Sequence, residues 1–358
     1  MWRRVVVGLL VGGCLLASLS CAPAPPPAPK LRKGVSLFGA GATFPAPLLE
    51  VWFAAYEQVA PVYIAYEAVG SGEGVKRFIG KSKDLESDQS VDFGMSDSAM
   101  TDAQMAEVAR GAQLVPVTAG AVALVYNLPE FKGQLRLSRE ALSEILLGKI
   151  TRWDDPKLTA NNSDAPLPKL PIMLVARSDS SGTTFVLANH LNAISSEWRD
   201  RFGATTLIAW PQKKAVLVKG NGEVALRVAK TPGAFGYVQY DYAKHLGLKM
   251  AALENKTGQF IAPSTESAAS AIGAAELPSN LRLFFSDPDG TQSYPIVSFS
   301  WALLYKDYQD PQRAAAIREL FKWLLTKGQK SSDALGYVPL PEKVVAAAMA
   351  AVESVGPR

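Results

Sequence analysis

Three times in the first half of the chain, a short apolar run passes through a loop of small and hydroxylated residues into a helical pattern. No other feature constrains the fold as strongly. Val35-Ser36-Leu37-Phe38 leads into Gly39-Ala40-Gly41-Ala42-Thr43-Phe44-Pro45. A helix follows over residues 47–59, with Leu48, Leu49, Trp52, Phe53 and Tyr56 on one face and proline in its first turn, where a missing N–H costs nothing. Val62-Tyr63-Ile64-Ala65-Tyr66 leads into Gly70-Ser71-Gly72-Glu73-Gly74, with a helix expected to begin near Val75. Pro171-Ile172-Met173-Leu174-Val175-Ala176 ends on Arg177, and Phe185-Val186-Leu187-Ala188-Asn189-His190-Leu191 beyond it is helical in its spacing. Strands alternating with helices predict an α/β fold. Each such turn offers free backbone N–H groups and the positive end of a helix dipole, and several together can converge on one anion.

The third unit carries the most chemistry. Arg177 supplies a guanidinium fork suited to a tetrahedral oxyanion, and Ser181 and Thr183 add hydroxyls. Either hydroxyl can cap the helix, while Gly182 lets the backbone approach whatever lies at its start. Asp179 would repel an anion directly. Two residues from Arg177, it is expected to pair with the arginine and orient it. Val91-Asp92-Phe93-Gly94-Met95-Ser96-Asp97 reads as a further strand that ends on a carboxylate. Asp154 and Asp155 are adjacent acids in a proline-bounded turn, which places them on the surface and not in catalysis. His190 and His245 are isolated and form no metal-ligand spacing, and both cysteines lie within the first 21 residues. The folded part therefore has no disulfide, no thiolate nucleophile and no cysteine metal site. No complete Walker-type Gly-x-x-x-x-Gly-Lys-Ser/Thr sequence is present, since Gly80-Lys81-Ser82 has Val75 where the first glycine would stand.

At 358 residues the chain exceeds one ordinary domain, so two lobes are expected. Residues 114–126 and 294–305 are long apolar stretches, read as the outward and return crossings between lobes. Residues 137–147 read as a helix, residues 224–229 as another after Gly220-Asn221-Gly222-Glu223, and residues 314–325 and 341–355 as C-terminal helices. Residues 80–90 are charged and read as solvated surface. The net charge of +4 falls to +2 once Arg3 and Arg4 of the leader are set aside, and no Lys/Arg stripe with interleaved aromatics marks a nucleic-acid partner. Trp2-Arg3-Arg4 followed by an apolar run to Leu19 is too short to span a membrane comfortably and reads as a signal over residues 1–20. Cys21 then reads as the lipidated first residue of the mature chain, with Ser18 where an aliphatic residue is usual. Cys14 after Val11-Gly12-Gly13 is the other candidate. The Pro-rich tether that follows, to residue 33, would span roughly 25 Å over eight residues in polyproline geometry.

Four motifs in this order carry a resemblance: Gly39–Pro47, Gly70–Val75, Val91–Asp97 and Arg177–Phe185. With Gly148–Asp155, Pro232–Tyr237 and Tyr294–Val297, they resemble the periplasmic phosphate-binding protein of the high-affinity phosphate ABC transporter, the PstS family, from residue 34 to the end. The resemblance implies a type II periplasmic-binding-protein fold, with two α/β lobes joined by two crossing strands. It places lobe I in residues 34–126 and 298–358 and lobe II in residues 127–297. It implies that phosphate is held by Thr43, Phe44 through its N–H, Ser71, Asp97, Arg177, Ser181, Gly182 through its N–H, and Thr183, with Asp179 paired to the arginine. It implies inorganic phosphate and the permease subunits as partners, a lipid-anchored monomer outside the cytoplasm, and neither cofactor, metal nor enzymatic activity. Two positions depart from the family pattern: Glu73, expected to point to solvent, and Ser180, where glycine is common. Asp97 carries the selectivity. Phosphate keeps a proton at neutral pH and can donate it to a buried carboxylate. Sulfate cannot, and would leave that carboxylate unmatched. Arsenate has the same shape and protonation, so this pattern does not separate it from phosphate.

Overall fold

The computed structural model describes residues 34–83, 91–273 and 276–356. The proposed signal, Cys14, Cys21 and the tether lie outside the described residues, as do residues 84–90 of the charged loop. The strands are β1 (Val35–Gly41), β2 (Val62–Glu67), β3 (Phe93–Ser96), β4 (Ala112–Tyr126), β5 (Arg136–Leu137), β6 (Met173–Arg177), β7 (Val216–Val218), β8 (Ala234–Gln239), β9 (Lys249–Met250), β10 (Ala252–Glu254), β11 (Phe260–Ile261) and β12 (Val297–Tyr305). The helices are α1 (Ala46–Glu57), α2 (Ser71–Ile79), α3 (Asp102–Ala106), α4 (Arg139–Leu146), α5 (Pro156–Thr159), α6 (Gly182–Ile194), α7 (Ser196–Arg201), α8 (Gly220–Lys230), α9 (Tyr240–His245), α10 (Thr265–Ile272), α11 (Pro311–Thr326) and α12 (Glu342–Glu353).

One long sheet takes nine of these strands, in the order β2-β1-β3-β12-β4-β8-β6-β7 with β9 also on β4, and β11, β10 and β5 form a second, small sheet. The flanks are parallel, β1 with β2 and β3, and β6 with β7 and β8. The centre is antiparallel. The first part of β4, Ala112 to Ala121, pairs with β12, and its last part, Val122 to Tyr126, pairs with β8. β4 thus belongs to two half-sheets in turn, as the long apolar run suggested. β12 differs from the expectation for residues 294–305. It begins at Val297 and lies wholly between β3 and the first part of β4, so the chain returns to the first half-sheet in the segment leading up to it. Its register slips between Ser300 and Trp301, where Pro116 stands opposite Trp301. Proline lacks the N–H of a regular ladder, so a bulge is the natural accommodation.

The apolar patterning explains the layers. α1 buries the expected face of Leu48, Leu49, Trp52, Phe53 and Tyr56. Phe53, Phe93 and Phe321 meet edge to face beside the first half-sheet. A smaller cluster of Val125, Val175, Val224, Val228 and Val238 packs α8 onto the second.

Several helices start earlier than periodicity suggests. α2 begins at Ser71 because Gly70, at φ 93°, turns the chain directly into it, and α8 begins at Gly220, at φ 74°, after the same kind of turn. α6 begins at Gly182 and is capped by Ser181, whose Oγ accepts from the Thr184 N–H at 3.1 Å. Of the two candidate caps, the serine takes the role.

Candidate functional site

The carboxyl ends of β1, β3 and β6 face one another across the two half-sheets, and in open α/β folds this is where ligands bind. Each brings one loop of the sequence pattern. Beyond β1, Thr43 and Phe44 precede α1. Beyond β3 stands Asp97, and β6 ends on Arg177. Ser71, Gly182 and Asn221 begin or stand beside the N-termini of α2, α6 and α8. Thr43, Ser71, Asp97, Arg177, Ser181 and Thr183 are all buried. The structure therefore brings together the residues that the motifs single out.

The contacts are close. Ser71 Oγ lies 3.4 Å from Asp97 Oδ2 and accepts from the Asp97 N–H at 3.3 Å. A Cβ on Gly182 would collide with Ser71 Oγ and the Asp97 carboxylate, so only glycine lets these three segments meet. The Gly72 N–H donates to the Ser180 carbonyl at 3.0 Å, tying the start of α2 to the loop before α6. Ser180, where glycine is common, is held by Thr206 Oγ1 at 2.8 Å. Phe44 is buried against Tyr337, whose hydroxyl donates to the Phe44 carbonyl at 2.7 Å.

Arg177 is clamped as expected. Its Nε donates to Asp179 Oδ1 at 2.7 Å and its Nη2 to Asp179 Oδ2, while the Gly220 N–H also reaches Asp179 Oδ1 at 3.3 Å. Its Nη1 is buried and bonded to no protein atom. Burial of a guanidinium N–H without an acceptor is unfavourable unless an anion supplies one.

The two acids of the site are in different electrostatic states. Burial pushes the Asp97 carboxyl up to about 7, even though the Ser300 hydroxyl, the Arg177 charge and Ser71 all favour its ionised form. For Asp179 burial also acts upward, but the hydrogen bonds and charge of Arg177, helped by the Gly220 N–H, hold it below the usual carboxylate range. The site thus presents several donors and one acceptor that can carry a proton near neutrality. That set suits a small tetrahedral oxyanion with a proton of its own. Beyond Asp179 lies a cavity of about 470 Å³ walled by Glu73, Lys76, Asp179, Ser180 and Lys219 among others.

Three functional side chains escaped the sequence reading. Ser300 donates to Asp97 Oδ1 at 2.8 Å from within an apolar strand. Asn221 donates to both Thr43 Oγ1 and Thr183 Oγ1. The Tyr242 hydroxyl donates to the Thr43 carbonyl at 2.7 Å. Only Asn221 left a signal, its place after a glycine at a helix start. Glu73, expected to point to solvent, instead lines the cavity beyond Asp179, where it pairs with Arg77 and accepts from Ser82. Asp154 pairs with Arg152 at 2.9 Å at the surface, and Asp155 caps α5. His190 is buried, with Nδ1 2.8 Å from the Ser286 carbonyl, and burial pushes it down to about 4. Among the described residues no group of three or more His, Cys, Asp and Glu could hold a metal ion.

Residues 26–327 match the profile of the PBP superfamily domain. The chain is 38% identical over 315 residues to the phosphate-binding protein PstS of Pasteurella multocida, a match covering 87% of this chain and 88% of that protein. It is 36% identical over 338 residues to the phosphate-binding protein PstS of Methanocaldococcus jannaschii, covering 88% and 85%. Its fold superposes with a TM-score of 0.75 on a high-affinity periplasmic phosphate-binding protein whose structure was determined with phosphate bound. That match covers 88% of this chain and 93% of that one, at 23% identity.

Proposed function

The chain belongs to the PstS phosphate-binding proteins of the periplasmic-binding-protein superfamily, and from that premise we propose how it binds inorganic phosphate for an ABC transporter. The fold is the type II periplasmic-binding-protein fold. In this reading phosphate sits between a lobe of residues 34–126 and 298–358 and a lobe of residues 127–297. Thr43, Ser71, Arg177, Ser181 and Thr183 donate to it through their side chains, and Phe44 and Gly182 through their N–H groups. Asp97 accepts the proton that phosphate retains.

The single observation that carries this reading is the buried, unpartnered Arg177 Nη1, in the same cleft as a carboxylate that titrates near neutrality. A fixed guanidinium and convergent helix N-termini favour an anion, while Asp97, once ionised, requires that anion to be a hydrogen-bond donor. The protein is a binding protein and not an enzyme. Ser181 Oγ serves as a helix cap, and no histidine or carboxylate activates it in the described contacts.

The protein works in the periplasm as a monomer tethered through lipidated Cys21. The anchor rests on the leader sequence, and the monomeric state on the resemblance to the family. Cys21→Ala should release the protein from washed membranes and Cys14→Ala should not. Equilibrium dialysis with labelled phosphate tests the function: one phosphate should bind per chain, saturably and in competition with arsenate. Absence of saturable binding would overturn it.

A further inference from the structure

Asn221 is fully buried at the start of α8 and belongs to none of the motifs that point to phosphate. All its hydrogen-bonding groups are used. Its Nδ2 donates to Thr43 Oγ1 at 2.8 Å and to Thr183 Oγ1 at 3.1 Å. Its backbone N–H donates to Thr43 Oγ1 at 3.2 Å. Its Oδ1 accepts from the Gln239 N–H at 3.0 Å, which fixes which end of the amide is oxygen.

We infer that Asn221 is a positioning residue that makes the Thr43 hydroxyl an obligate donor toward the bound oxyanion and biases the Thr183 hydroxyl the same way. A hydroxyl has one hydrogen to give and two lone pairs to receive. The side-chain amide fills one acceptor place on Thr43 and one on Thr183, and the Asn221 backbone N–H fills the second on Thr43. Among the described residues neither hydroxyl donates to a protein acceptor, so both hydrogens remain for a ligand. Thr43 follows β1 and Thr183 lies on α6 after β6, so one side chain sets donors on both walls of the cleft. The Tyr242 hydroxyl holds the Thr43 carbonyl from α9, which keeps the threonine in reach of the amide. Either hydroxyl, left free to rotate, could present its lone pairs to the anion. At Thr43 the amide and the backbone N–H remove that choice before the ligand arrives, and at Thr183 the amide narrows it, which is preorganisation.

This inference rests on the phosphate reading, and calorimetry with inorganic phosphate separates the two. Asn221→Asp keeps the shape and the acceptor for Gln239 but draws the threonine hydrogens toward itself. It should weaken phosphate binding at least about a hundredfold at pH 8, and Asn221→Ala about tenfold. In a Thr43→Val, Thr183→Val background the alanine change should cost nothing further and the aspartate change should cost far less. A Thr43→Ser, Thr183→Ser background keeps the hydroxyls and should restore the full sensitivity. Losses that are equal in the valine and wild-type backgrounds would mean a packing or charge effect and would overturn the inference. So would Asn221 variants within twofold of wild type. A wild-type protein that binds no phosphate would overturn the functional reading itself.

Discussion

The ends of β3 and β6 each bring an acid to the same cleft, Asp97 buried and Asp179 half-buried, and the two acids are held in opposite states. Asp97 has hydroxyls for partners, Ser300 on Oδ1 and Ser71 near Oδ2, and feels Arg177 only at a distance. Burial dominates and raises it to about 7. Asp179 shares two hydrogen bonds with the Arg177 guanidinium, and these overcome its burial. The same side chain in the same cleft is a proton acceptor in one place and a fixed counter-charge in the other. Burial pushes both carboxyls up, and only the direct pairing of Asp179 with the guanidinium outweighs it.

The largest test of this contrast removes what the two acids share. Arg177→Ala should lower phosphate affinity about a thousandfold, because a charge-assisted contact in a dry site is lost and Asp179 is left unpaired. Asp154→Ala, at the exposed turn, should leave affinity unchanged in the same calorimetric titration. Equal losses at both positions would mean that the site is misplaced.

Neutralising each acid in the phosphate-free protein should move stability in opposite directions. Asp179→Asn strands a buried arginine and should destabilise by about 3 kcal/mol in denaturant unfolding at pH 8. Asp97→Asn should stabilise by about 1–3 kcal/mol, since it removes a charge that burial disfavours. The sign follows from linkage. A carboxyl whose folded value is raised binds more protons in the folded state between about 4 and about 7, so its contribution is present at low pH and lost as pH rises through about 7. The same sign for both variants would break the contrast.

How far the sequence revealed this site depends on how far apart the partners lie along the chain. Arg177 and Asp179 are two residues apart, and their pairing follows from spacing alone. Thr43, Ser71 and Gly182 sit in loops whose composition marks helix starts. Ser300 and Asn221 meet their partners across more than a hundred and fifty residues, Asp97 in one case and Thr43 in the other. No local pattern carries such a contact. A serine in an apolar strand looks like tolerated polarity until β12 is laid beside β3. Periodicity also placed α2 four residues late, because it reads apolar spacing and Gly70-Ser71-Gly72 has none. The layers were easier to foresee, since burial of one helix face and of whole central strands is written directly in the apolar pattern.

Ser300 gives the smallest effect. Its hydroxyl favours ionised Asp97, so Ser300→Ala should raise the Asp97 titration point by about one unit, equivalent to about 1.4 kcal/mol. Sulfate binding reads this out, because sulfate needs Asp97 protonated. Its affinity should rise roughly tenfold per pH unit as pH falls toward the Asp97 titration point, and the variant's profile should lie about one unit higher. Superimposed profiles would assign Ser300 to packing alone.

The central claim is that Asp97 selects by requiring a proton on the anion. Asparagine at this position keeps the size and one carbonyl acceptor, removes the charge and offers an amide donor to an unprotonated oxygen. The direct measurement is calorimetric affinity for phosphate and for sulfate, on the wild type and on Asp97→Asn, at pH 8 and fixed ionic strength. The account predicts that the phosphate-to-sulfate ratio narrows by at least about tenfold, chiefly through a gain for sulfate. An unchanged ratio would place discrimination elsewhere in the cleft and contradict the role given to Asp97.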